Sequence, residues 1–124
     1  MRLLLDTHIL LWWLSQSKKL SVQSKKLTEN SRNTIFVSAI SIWEISLKQS
    51  QRKLRIPSSY IKTIKNEGLL ALPITFDHAL KVKNLPFHHK DPFDRLLIAQ
   101  AMEEKLILIS DDKYIKKYKI KMIS

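Results

Sequence analysis

Residues 3–13 read LLLDTHILLWW, and the fold turns on how this stretch divides. Arg2 to Asp6 form a short apolar run suited to a buried strand. From Thr7 through His8, Ile9, Leu10, Leu11, Trp12, Trp13 and Leu14 the residues are those of a mostly apolar helix. A strand that feeds directly into a helix is the opening unit of an α/β arrangement. The same stretch has the outline of a secretory signal, but Asp6 and His8 interrupt it and no small-residue cleavage site comes after it. It is also shorter than the roughly 20 residues that span a bilayer, so no membrane association is expected.

Working outward, the alternation continues. Ser21 can cap a helix to about Asn30 with Val22 and Leu27 on its apolar side. Thr34 to Val37 is a β-branched and aromatic strand candidate, after which Ser38 can cap a helix carrying Ala39, Ile40, Ile42, Trp43, Ile45 and Leu47. Pro57 ends that region, and Ser58 or Ser59 opens a helix through Tyr60, Ile61 and Ile64 that closes near Gly68. Leu69 to Ile74 reads as a third strand, and Phe76 to Lys83 as a helix. Leu85 to Lys90 reads as a loop, and Asp91-Pro92 as the start of a helix with proline in its first turn. Leu106 to Ile109 is a buried strand, Lys113 to Lys117 a short basic helix, and Ile120 to Ile123 a last strand. Strands alternating with helices predict a single α/β domain over residues 1–124, with a mostly parallel central sheet and helices on both faces.

Composition agrees with one such domain. The chain has 124 residues, 44% of them hydrophobic, with one glycine, four prolines and no linker-like or repetitive tract. There are no cysteines, which excludes disulfides, thiolate zinc sites and cysteine nucleophiles; a reducing compartment is compatible, and a cytoplasmic protein is expected. Twenty-two Lys and Arg against 11 Asp and Glu give a formal charge of +11. That field favours a polyanionic partner, nucleic acid first, over an acidic protein.

Against this basic background the carboxylates are unevenly placed. Asp6 ends the first strand, Glu44 lies early in the helix after the second, Asp91 and Asp94 open a helix, and Asp111 and Asp112 come directly after a buried strand. Six of the 11 acids thus fall at the carboxyl edge of the predicted sheet, where α/β proteins build their sites. Carboxylates gathered there repel one another unless a proton or cation neutralises them. Oxygen-only ligands favour Mg²⁺ or Mn²⁺ over zinc. Each acid also has a purely structural explanation. Asp91 and Asp94 fit an N-cap and a first-turn carboxylate, Ser41-Ile-Trp-Glu44 fits a capping box, and Asp111 or Asp112 could cap the short basic helix behind them. Their joint placement favours a metal pocket.

These residues resemble the PIN-domain ribonucleases, and among them the VapC-type toxins of bacterial and archaeal toxin–antitoxin pairs. The resemblance is carried by LLLDTHILLWW (3–13), VSAISIWEISLK (37–48), DPFDRLLIAQA (91–101) and LILISDDKYIKKYKI (106–120), whose order and spacing together are specific. It implies a flavodoxin-like α/β/α fold and Mg²⁺- or Mn²⁺-dependent cleavage of RNA phosphodiesters that leaves a 5′ phosphate and a 3′ hydroxyl. It further implies a homodimer held by a cognate antitoxin. Matched to the family pattern, the pocket acids are Asp6, Glu44, Asp94 and, through Ser110-Asp111-Asp112, Asp112, with adjacent Asp111 as a substitute. Asp91 belongs to the Asp-Pro-Phe-Asp variant and is a cap or an auxiliary group. Thr7 and Ser110 could hydrogen-bond the acids or a bound water, and Arg95 could contact phosphate or pair with a carboxylate.

Other residues give weaker signals. His8, His78, His88 and His89 lack metal spacing, and an oxygen-rich pocket does not require imidazole, although His88-His89, in the loop before Asp91, could lie near substrate. Trp12, Trp13 and Trp43 suit a core or dimer interface better than base stacking. Lys48, Arg52, Lys53, Lys113, Lys116 and Lys117 could guide a phosphate backbone. Two rival readings share the fold class. A receiver-like domain would need an acidic pair after the first strand, where this chain has Thr7 and His8. A non-catalytic RNA-binding domain would use the charge alone. The same metal chemistry could also act on DNA.

Overall fold

In a computed structural model that describes residues 1–124, five strands form one sheet in the order β3-β2-β1-β4-β5, and every neighbouring pair is parallel. The strands are β1 (Arg2–Leu5), β2 (Thr34–Ser38), β3 (Leu70–Leu72), β4 (Ile107–Ile109) and β5 (Met122–Ile123). Between them run α1 (Thr7–Leu14), α2 (Val22–Glu29), α3 (Ala39–Ser50), α4 (Tyr60–Asn66), α5 (Phe76–Lys81) and α6 (Pro92–Glu104). Pro73 comes directly after β3, and the expected strand to Ile74 stops before it. The expected basic helix is reduced to a 3₁₀ turn over Ile115–Lys117.

The period of two in β1 divides the core. Leu3 and Leu5 face one way, with Ile35, Val37 and Ile109 beside them, and are covered by Ile9 and Leu10 of α1, Ile45 of α3, and Tyr60 and Ile64 of α4. Leu4 and Leu108 face the other way, onto Leu97, Ile98 and Ala101 of α6. Both faces are therefore buried, which is why these strands read as unbroken apolar runs rather than alternating ones.

Helix starts obey local chemistry. The Asp6 carboxylate caps α1, Ser21 caps α2 and Ser38 caps α3. Because α3 begins at Ala39, Ser41 lies inside it and the expected Ser41–Glu44 capping box does not form. Asp91 caps α6, with Pro92 at the first helical position as expected. From β1 the chain builds outward to β2 and then β3 on one side, and returns to place β4 on the other side of β1. The sheet order thus reverses between β1 and β4, and the ends of these two strands carry Asp6 and Ser110 to Asp112.

Candidate metal centre

Asp6 is buried at the end of β1, where its Oδ1 accepts the Ile9 N–H at 2.8 Å. Burial pushes its carboxyl up to about 6, against the Ser110 hydroxyl, the Ile9 amide and the His8 charge, which favour the ionised form. Asp111 adds to the rise. Asp94, in the first turn of α6, is pushed up further, to about 7, by burial and then by the charges of Asp91 and Asp6; His89 opposes the rise and Asp112 adds to it. The charge of Asp6 thus reaches Asp94 across the reversal point, although the two are far apart in the sequence.

The closest grouping is His89, Asp94 and Asp112, whose ligand atoms all lie within 4.8 Å of one another. His89 Nε2 stands 2.9 Å from Asp94 Oδ2 and 3.6 Å from Asp112 Oδ2. The Asp91 N–H donates to His89 Nδ1 at 3.4 Å, leaving Nε2 as the N–H end that points between the two carboxylates. Asp112 uses its other oxygen, Oδ1, to accept the N–H groups of Tyr114 (2.8 Å) and Ile115 (3.1 Å). Its own N–H donates to Ser110 Oγ at 3.1 Å.

Glu44 reaches the same end of the sheet from α3. Thr7 and Ser41 share a buried hydroxyl–hydroxyl hydrogen bond of 2.9 Å that pins the start of α1 to α3, and Glu44 lies nearly one turn beyond Ser41. Its Oε2 is paired with Lys48 Nζ at 2.9 Å, while Oε1 is buried and has no partner. A buried, unpartnered carboxylate oxygen costs stability unless something binds it. With Asp6 and Asp94 held abnormally basic nearby, the donor set fits a hard divalent cation: oxygen-rich, excess negative charge, partly desolvated.

A PIN domain family model matches residues 3–121. The chain belongs to the PIN domain family. Among curated proteins it is 26% identical over 119 residues to Ribonuclease VapC22 of Mycobacterium tuberculosis, covering 94% of this chain and 91% of that one. The PIN fold is also found in a crystal structure of VapBC2 from Rickettsia felis bound to a promoter DNA fragment, at a TM-score of 0.74 and 17% identity over 99% of this chain and 98% of that one. Another match is DNA-bound VapBC from Salmonella typhimurium, at a TM-score of 0.69 and 15% identity over 99% and 97% of the two chains. The relatives are thus VapC-type and VapBC proteins, in keeping with the resemblance carried by the sequence.

Within this PIN domain the expected site residues fall into three groups. Asp94 and Asp112 meet at His89, and Asp6 and Glu44 are buried at the same edge but outside that close trio. Asp91 caps α6, its Oδ1 accepting from Phe93 and Asp94, and Asp111 is exposed. Thr7 bonds Ser41 rather than an acid, whereas Ser110 serves both Asp6 and the Asp112 amide. Arg95 departs from expectation. Its guanidinium, on a buried side chain, contacts neither carboxylate nor open surface and instead donates to the carbonyls of Val82, Leu85 and Pro86 and to the Tyr118 hydroxyl.

That buried knot explains how His89, which the sequence places only near a substrate, comes to join Asp94 and Asp112. Tyr118 Oη donates to the Pro86 carbonyl at 2.8 Å and accepts the His89 N–H at 3.1 Å, fixing the 85–91 segment so that His89 turns inward. Neither period nor motif relates His89 to Asp94 and Asp112. The available signal was its place two residues before an Asp-Pro helix start.

Proposed function

We propose that this PIN domain is a Mg²⁺- or Mn²⁺-dependent endoribonuclease and acts as the toxin of a toxin–antitoxin pair. The observation that carries the reading is the placement of two abnormally basic carboxylates, buried Asp6 and half-buried Asp94, with Asp112 and the unpartnered Glu44 oxygen beside the β1–β4 reversal. The name Ribonuclease VapC22 supports RNA as the substrate class, and the +11 charge supports a polyanion.

Asp6, Glu44, Asp94 and Asp112 would hold the ion. When bound, it would supply the charge that neutralises these acids and the Lewis acidity that favours hydrolysis of a phosphodiester. The chain's own residues set the stage. Asp6 is held by the Ile9 amide and Ser110, Asp112 by its own turn, and Asp94 by α6, so the carboxylates are oriented before anything binds. Lys48 pairs with one Glu44 oxygen and so directs the other. In the net reaction water adds to phosphorus, the P–O3′ bond breaks, and the 3′ oxygen leaves with a proton.

The VapBC complexes among the relatives support an antitoxin partner, and the exposed apolar side chains Trp43, Leu47, Phe76 and Leu80 support a homodimer. The test compares wild type with Asp6→Asn on structured RNA, with and without EDTA. Asn retains the cap on α1, so the variant should stay folded and lose cleavage by at least about a hundredfold. Equal cleavage by the variant, or cleavage indifferent to EDTA, would overturn the reading.

A further inference from the structure

Of the exposed aromatic side chains, Tyr114 packs against a member of the His89–Asp94–Asp112 trio. Tyr114 is 40% exposed, and its ring lies 5.1 Å from that of His89 at an interplanar angle of 36°. Since His89 Nε2 is 2.9 Å from Asp94 Oδ2, a planar group laid on Tyr114 is within a nucleotide's reach of the carboxylates. The Tyr114 backbone is held to the site as well. The Tyr114 N–H donates to Asp112 Oδ1 at 2.8 Å, tying the backbone of the aromatic residue to the side chain of a candidate ligand.

The surroundings match a nucleic-acid strand rather than an apolar ligand. The ammonium groups of Lys113 and Lys117 stand 5.1 and 5.4 Å from the ring centroid. Lys116, Lys119 and Lys121 are exposed on the same short segment. An exposed aromatic ring flanked by ammonium groups is one way proteins hold single strands: the base stacks on the ring and the cations take the flanking phosphates. The other exposed aromatics lack this setting. The cation over Phe87 is the Arg95 guanidinium, already committed to the carbonyls of Val82, Leu85 and Pro86 and so not free for a phosphate; Trp43, beside Glu44, packs edge-on to Phe93 at 5.0 Å with no ammonium group over its ring, and Phe76 opens α5 rather than any segment that carries a candidate ligand.

We propose that Tyr114, with Lys113 and Lys117, forms a stacking subsite for one unpaired base of a single-stranded RNA, next to the phosphate presented to the carboxylates. The inference rests on the nuclease reading for the identity of the strand.

The experiment measures binding and turnover separately. Binding of a fluorescein-labelled, unstructured RNA oligonucleotide is monitored by anisotropy in EDTA, for wild type, Tyr114→Phe and Tyr114→Leu. Stacking one base on an aromatic ring is worth about tenfold in affinity. Tyr114→Leu should therefore bind about tenfold more weakly, and Tyr114→Phe within about twofold of wild type. Moving a single abasic residue along the oligonucleotide should find one position where wild type loses about tenfold and Tyr114→Leu loses nothing more. With metal present, Tyr114→Leu should raise KM by a similar factor and leave kcat within about threefold. Unchanged binding by Tyr114→Leu, an equal loss in Tyr114→Phe, or a loss confined to kcat would overturn the subsite. If wild type binds the oligonucleotide but cleaves no RNA with Mg²⁺ or Mn²⁺, the nuclease reading fails while the binding arm still decides the subsite.

Discussion

Asp94→Asn should make the metal-free protein more stable at pH 8 and leave it almost unchanged at pH 5. In the folded chain burial and the charges of Asp91 and Asp6 raise the Asp94 carboxyl from 3.8 to about 7. The folded state therefore binds a proton that the unfolded state has already released, and stability falls as pH rises from about 4 through about 7. The full rise corresponds to about 4 kcal/mol at alkaline pH. Against this, a neutral side chain forfeits up to about 1 kcal/mol of favourable interaction with the start of α6, and its carbonyl is a weaker acceptor for His89 Nε2 than a carboxylate. The net gain for the variant should be about 1–3 kcal/mol at pH 8. Urea unfolding in EDTA at both pH values measures it, and comparing variant with wild type cancels the general effect of titrating a chain of charge +11. Mg²⁺ should reverse the order, stabilising wild type and not the variant, because only wild type offers it the full set of carboxylates. A variant no more stable than wild type at pH 8, or a gain of equal size at pH 5, would refute the assignment of Asp94 as a strained acid.

Two further changes probe the supports of the site. Lys48→Met leaves the buried Glu44 carboxylate without its one ion pair, and because Lys48 is itself 39% exposed the cost should be modest, about 1 kcal/mol in EDTA. Millimolar Mg²⁺ should narrow that gap in the same urea experiment. Tyr118→Phe deletes the acceptor of the His89 and Arg95 N–H groups and the donor to the Pro86 carbonyl. It should cost about 2–3 kcal/mol and accelerate hydrogen exchange at the His89 amide, with the α1 and β1 amides unaffected.

Much of the fold was legible because its signals are local. Apolar runs bounded by capping residues gave β1, α1, β2, α3, α6 and β4 within a few residues, since a strand buried on both faces needs an unbroken run and a helix start needs an oxygen. The ends of β3 and of the turn at Ile115–Lys117 were less readable, because tertiary packing decides how far a weak segment continues. The carboxyl-edge acids were legible for the same reason as the strands that carry them. The direction of Arg95 and the place of His89 between the acids were not. Arg95 is next to Asp94 in sequence, yet on a helix adjacent residues point about 100° apart. Its direction leads into the carbonyls of residues 82–86 rather than into the pocket. His89 depends on Tyr118, 29 residues later, and no local pattern encodes a bond of that span.

The alternative posed by the sequence, cap or site, dissolves in the structure because a carboxylate has two oxygens. Asp112 gives Oδ1 to the amides of Tyr114 and Ile115 and turns Oδ2 toward His89. Asp6 gives Oδ1 to the Ile9 amide, and Asp91 caps α6 while its charge raises Asp94 one turn on. The capping bond is what makes a costly cluster tolerable. It orients the carboxylate, and the partial positive charge of the helix or turn start offsets part of the repulsion among the acids. Strand ends that pass directly into helices thus provide, at one edge of the sheet, both the acids and the backbone N–H groups that hold them. What the caps leave over is the inward oxygen of each acid, too basic to stay ionised without a partner near neutral pH in the case of Asp94. That residue of unmet charge is the property a divalent cation would answer. The same unmet charge draws the His89 N–H in between Asp94 and Asp112.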